Sequence, residues 1–292
     1  MNTSDRDEFT YLAAEASALG LTATLPLVRR TAVATPDGRV AALQWGEQPA
    51  RLVLLHGIGL NAHTWDATVL AADRPALAID LPGHGDSEWR ADRHYAPQVI
   101  AAALTAAVKQ LASPGVVLVG HSLGGLAAAV IAGSSPGLVD KLVLIDIVPL
   151  PPRIATSNQA SDFLSGPADF DSREQIVQRA LTFGFGPNRE GISRAVHLNT
   201  RIRPDGRVVW KHHFGNLAGR VADIGDQDAL WSLLEGSTVP VQLIWGSRGF
   251  LDQELVDQFL DRVPGSSAVQ VDAGHNIQEE APQHLADLIV LR

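Results

Sequence analysis

Cysteine is absent from the 292 residues, which excludes disulfides, a thiol nucleophile and thiolate metal sites. Clustered positive charge is missing too. The formal net charge is -9 and the arginines are scattered, with Arg201, Arg203 and Arg207 the nearest approach to a cluster. Phosphate backbones are held by grouped cations, so no nucleic acid is expected as a partner. No apolar run approaches the roughly eighteen residues that a membrane span needs, and no membrane partner is expected. The stretch Met1 to Gly20 carries Asp5, Arg6, Asp7, Glu8 and Glu15. It lacks the basic start and apolar middle of a secretory signal, so the expected location is cytoplasmic. No His/Asp/Glu grouping has metal-ligand spacing, and the adjacent His212 and His213 would point to opposite faces of a strand. No Gly-x-Gly-x-x-Gly opens the first strand–helix turn, which disfavours a nicotinamide enzyme. Neither a metal nor a cofactor is expected. Internal repeats and low-complexity segments are also lacking.

What is present is a rhythm of apolar strands and helices. The hydrophobic share is 46% and the charged share 19%, as in a globular domain with a sizeable core. Residues 1–24 read as a polar, partly helical extension. Arg29 to Ala34 and Arg39 to Trp45 flank Thr35-Pro36-Asp37-Gly38, a hairpin signal. Continuous apolar strands follow at Arg51 to Leu55, Pro75 to Asp80, Val116 to Gly120, Leu142 to Ile145 and Val241 to Trp245, with an alanine-rich helix over 96–112. This predicts an α/β fold, a mostly parallel sheet flanked by helices. The core takes 25–148 and 237–292. Between them, 149–236 loses the strand–helix rhythm, opens with Pro149, Pro151 and Pro152, and carries Phe163, Phe170, Phe183, Phe185, Trp210, Phe214 and Trp231. It is too long for a loop and is read as a mostly helical lid.

The chemistry centres on Gly120-His121-Ser122-Leu123-Gly124. An apolar strand runs into Gly-x-Ser-x-Gly and a small-residue helix follows, the setting of a nucleophile elbow. Ser122 is the candidate nucleophile. A serine hydroxyl needs a base, and His275, after the apolar strand that ends at Ala273-Gly274, is the candidate. Two backbone donors for an oxyanion are expected from Leu123 and from Ile58 in His56-Gly57-Ile58-Gly59. His56, Gly57, His121, Trp65 and Trp210 are candidate pocket residues, with His63 beside them, and core packing is an equal reading of Trp65. Asp80, His84 and Asp86 read as holding the loop after the second core strand, and Trp210 to Phe214 as lid packing. The carboxylate that orients His275 has two candidates. Asp146 ends the strand after the elbow helix, and Asp252 stands before Gln253-Glu254-Leu255. Asp146 is preferred, because a strand end is rigid and Asp252 is a good helix N-cap.

Together these segments resemble the α/β-hydrolase fold superfamily, in particular its small lidded esterase-like members. His56 to Gly59, Asn61 to Asp66, Asp80 to Ser87, Gly120 to Gly125, Leu144 to Pro149 and Ala273 to His275 occur in the family's order. The resemblance implies hydrolysis of a small, mainly apolar ester or lactone through an acyl-serine. Thioester, amide or carbon–carbon bond hydrolysis and acyl transfer are alternatives on the same triad. A small-molecule-binding protein without turnover is the alternative of another class. One departure stands out. Many relatives carry the triad acid in a Gly-x-x-Asp turn, and here that turn is Gly246-Ser247-Arg248-Gly249. Haloalkane dehalogenases and certain lactonases place their acid where Asp146 stands.

Overall fold

The computed structural model describes residues 7–21, 24–149, 163, 166–184, 188–216 and 224–290. Pro151, Pro152 and Phe185 lie outside those ranges. Eight strands form one sheet: β1 Val28–Thr35, β2 Gly38–Trp45, β3 Ala50–Leu55, β4 Ala76–Ile79, β5 Ala112–His121, β6 Val139–Ile145, β10 Val241–Arg248 and β11 Ser267–Gly274. Their order is β1-β2-β4-β3-β5-β6-β10-β11. The pairs β1–β2 and β2–β4 are antiparallel and every later pair is parallel. The hairpin closes as its sequence predicts, with Thr35 opposite Gly38 and only Pro36 and Asp37 between.

The central strands are largely apolar because both faces are covered there. Successive side chains divide between two cores. Val53 and Leu55 of β3 and Leu142 and Leu144 of β6 pack with helices α3 (Pro97–Leu111) and α4 (Leu123–Ser134). Leu52, Leu54, Val143 and Ile145 pack on the other side, with Trp45, Trp65, Val69, Leu285 and Ile289. Trp65 has no exposed surface, so it is a core residue rather than a pocket residue. The N-terminal helix Leu12–Ala18 docks on this second side through Leu12 and Ala16.

Between β6 and β10 the described residues form helices Arg173–Thr182 and Arg189–Asn199 and the short strands β7 Asp169–Phe170, β8 Thr200–Ile202 and β9 Val208–Trp210. The strands make an antiparallel sheet ordered β7-β9-β8. Helices outweigh strands among the described residues of this segment, as its sequence predicts, and a small antiparallel sheet joins them. Short strands of two or three residues carry too little alternation to be read from sequence. Phe170, Ile176, Val177, Ile192, Val196, Val208 and Trp210 give it a small core of its own. The next helix, Gln227–Glu235, instead joins the main core through Leu230, Trp231 and Leu234. Among the described residues no helix is long and apolar enough to cross a membrane.

Candidate active site

Ser122 is the single residue between β5 and α4, with φ 52° and ψ −122°. A side chain in this region costs roughly 1–3 kcal/mol, and the surrounding strand and helix hold it there. The turn leaves Ser122 half-buried above the sheet edge. Leu123 opens α4, so its N–H has no acceptor within the helix. Gly57 lies against the elbow: a Cβ there would meet His121 Nδ1 at 2.7 Å and Ser122 Cβ at 3.1 Å. Only a residue without a side chain lets the segment carrying Ile58 come this close.

Two buried histidines hold that segment. His56 Nε2 accepts the Leu81 N–H at 3.0 Å, so the ring proton is on Nδ1, which donates to the Gly57 carbonyl at 2.7 Å. His84 Nε2 accepts the Gly59 N–H at 3.1 Å and its Nδ1 donates to the Pro82 carbonyl at 3.2 Å. Burial pushes His56 down to about 4. Burial, and then the neighbouring His56, push His84 well below the ordinary histidine value. Both rings are neutral, and the two hydrogen bonds need that state. His56 is wholly buried and works as a brace for the loop. Asp80 secures the other end, accepting the N–H groups of Ala62 at 2.7 Å and Asp86 at 3.0 Å.

His275 follows β11. Its Nδ1 is 2.7 Å from Asp146 Oδ2. Asp146 is wholly buried, one residue past β6, at φ 47°. Its Oδ1 accepts the Gly246 N–H at 2.9 Å and its Oδ2 the Phe250 N–H at 2.8 Å. Asp252 is elsewhere: its Oδ1 accepts the Leu255 N–H at 3.0 Å, as the N-cap of helix Gln253–Arg262. His121 is buried, and its Nε2 donates to the His275 carbonyl at 3.0 Å. It therefore braces the His275 loop.

Gly249 explains the departure in the Gly-x-x-Asp turn. A Cβ at this position would lie 2.5 Å from Asp146 Cγ and closer still to both carboxylate oxygens. The space that a side chain at 249 needs is filled by the carboxylate of Asp146, just past β6. Gly249→Ala is expected to push the carboxylate off His275, destabilise the fold by about 1–3 kcal/mol and lower kcat at least tenfold. Denaturant unfolding and ester kinetics on one preparation check this; wild-type values in both would remove the steric argument.

Trp210 lies in the small core of the inserted segment and stacks on His212, ring centroids 5.0 Å apart. His213 stacks on Trp89 at 4.4 Å, and its N–H donates to the Gly83 carbonyl at 2.8 Å. These residues pack the segment onto the Pro82–Gly85 turn. Among the described residues no three His, Asp or Glu side chains converge as a metal site.

His63 does not line a pocket. It is buried between Asp66 (Nδ1 to Oδ2, 2.9 Å) and Glu8 (Nε2 to Oε2, 3.1 Å). Arg30 joins Glu8 at 2.6 Å and Asp80 at 2.7 Å, and Arg194 joins Asp66 at 2.8 Å and Glu15 at 3.0 Å. Burial alone would discharge His63, but the charge of Asp66 and hydrogen bonds from Asp66 and Glu8 raise it from 6.5 to about 9. Burial would likewise raise Glu8, but hydrogen bonds from His63 and Arg30 hold it at about 2. A raised histidine adds stability that is complete below 6.5 and lost as pH rises through about 9. The Glu8 contribution is present above 4.5 and lost as pH falls towards about 2. Thermal midpoints are expected to fall between pH 6.5 and pH 9, and to fall less in His63→Gln. Equal falls in both proteins would rule out His63 as the source.

A mostly parallel sheet that starts with an antiparallel pair and carries a serine on its central strand–helix turn defines the α/β-hydrolase fold. The chain belongs to the alpha/beta hydrolase family, whose profile matches residues 52–288. Esterase Rv0045c of Mycobacterium tuberculosis is 33% identical over 97% of this chain and 94% of that protein. A crystal structure of that esterase has a TM-score of 0.84 at 31% identity, covering 99% of this chain and 98% of that one. Lipase LipV of the same organism is 26% identical, over 82% of this chain and 92% of that protein.

Proposed function

We propose that this protein is a serine hydrolase of small, mainly apolar carboxylic esters or lactones. The observation that carries the reading is the 2.7 Å contact of His275 Nδ1 with the wholly buried Asp146. A buried carboxylate on Nδ1 fixes the tautomer that leaves Nε2 free to act as a base. The similarity to an esterase over nearly the whole chain supports the same reading.

In the reaction Ser122 Oγ attacks the ester carbonyl while His275 takes its proton. The negative oxygen settles on the N–H groups of Leu123 and Ile58. His275 then gives the proton to the departing alcohol, and water, activated by the same ring, releases the acid. With a lactone, the step that expels the alcohol opens the ring and leaves that alcohol on the acyl chain. Residues 149–236 act as a lid whose aromatic residues favour an apolar acyl or alcohol group.

The test is a panel of p-nitrophenyl esters of rising acyl length, with lactones, thioesters and amides beside them, each run with Ser122→Ala. Serine-dependent hydrolysis of short and medium esters is expected, above amides. If no member of the panel is turned over in a way that Ser122→Ala removes, the hydrolase reading fails and a binding role on this fold takes its place.

A further inference from the structure

The turn after β10 holds the Asp146 carboxylate, and it also covers the base. Phe250 lays its ring on the imidazole of His275, with centroids 3.8 Å apart and planes 21° from parallel. Its own N–H donates to Asp146 Oδ2, the same oxygen that meets His275 Nδ1. One residue thus touches the acid through its backbone and the base through its side chain. Core packing does not account for it. Phe250 is 39% exposed and belongs to none of the three apolar clusters. The second ring near His275 is that of His121, at 4.4 Å, which burial keeps neutral. When His275 takes the serine proton it becomes a cation, and the face of an aromatic ring attracts a cation.

We propose that Phe250 is a positioning residue for the imidazolium of His275. Its ring face stabilises the charged imidazole during the lifetime of the tetrahedral intermediate, and its N–H keeps Asp146 on Nδ1. This rests on the hydrolase reading above, in which the Ser122 proton moves to His275 as the Oγ–carbon bond forms and the carbonyl π pair becomes the oxyanion. An attraction of this kind speeds only steps in which His275 gains its proton, so it differs from a packing role.

The experiment replaces Phe250 by leucine, tryptophan and a series of phenylalanines with one, two and three ring fluorines. Fluorine drains the ring face with little change in shape. Two rates are read: ester kcat/KM, and modification of Ser122 by an alkyl fluorophosphonate. In the second, Oγ bonds to phosphorus, fluoride leaves and the proton goes to His275. Phe250→Leu is expected to lower both rates about two- to sixfold. Tryptophan retains them, and each added fluorine lowers them further. A leucine variant that labels at the wild-type rate overturns the proposal. So does a labelling rate that is flat across the fluorinated series, which would leave the ring a matter of shape. A wild-type protein that labels at Ser122 but turns over no ester would sink the hydrolase reading alone, with the series still readable.

Discussion

Ser122→Ala is expected to lower ester kcat on the order of 10⁵- to 10⁶-fold while leaving the fold intact. Without Oγ no acyl intermediate forms, and what remains comes from binding and from the N–H groups of Leu123 and Ile58. Stability adds a second readout at the same position. Ser122 sits at φ 52°, where alanine has the same Cβ strain and glycine has none. Ser122→Gly is therefore expected to be more stable than Ser122→Ala, by about 1 kcal/mol. Denaturant midpoints compare the two. An alanine variant as stable as the glycine variant would show that the elbow stores no strain. An alanine variant with measurable, histidine-dependent turnover would remove Ser122 as nucleophile.

Asp146→Asn is expected to cost about 10⁴-fold in kcat. The reason lies in the donor count. The carboxylate receives three N–H groups, from His275, Gly246 and Phe250. An asparagine has one acceptor oxygen and must turn its NH₂ either towards Gly246 or towards His275 and Phe250 together, which share Oδ2. If it faces His275, the ring is driven to the tautomer with its proton on Nε2, which cannot take a proton from Ser122. If it faces a backbone N–H, two donors meet in a wholly buried site. Asp252→Asn should stay within about threefold of wild type, because asparagine caps a helix as well as aspartate. Parallel kinetics with one ester decide it. The reverse ranking would move the acid to Asp252.

The sheet could be read from the sequence because both its faces are buried. Its central strands are apolar runs, and the elbow ends one of them with glycines at fixed places. Ser122 and His275 read as types in a setting, a serine on a strand–helix turn and a histidine after the last strand. The acid was harder. Asp146 and Asp252 are both aspartates at element ends; the rigid strand end favours Asp146 in the sequence, and the His275 contact and the filled space at Gly249 favour it in the structure. A vacant position in a motif does not say what fills it. Phe250 carried no signal, since a single aromatic in a turn has no periodicity. His56 and His84 looked like pocket and loop residues, and their bracing of the backbone appears only once Leu81 and Gly59 are brought beside them. His63 reads as a pocket residue, and Trp65 as pocket or core, for a related reason. Position after a glycine loop does not tell which way a side chain turns.

Arg194 sits in the inserted segment, yet its charge is answered by Asp66 of the core and Glu15 of the N-terminal helix. The segment is continuous in sequence but not self-sufficient in electrostatics. A chimera made by exchanging only this stretch with that of a relative would leave Asp66 and Glu15 facing a foreign side chain, and would leave the buried Asp66 with His63 but without the guanidinium. Transplanting substrate preference between such proteins therefore means moving three separate pieces of chain together: the inserted stretch, the start of the helix after the oxyanion loop, and the N-terminal helix.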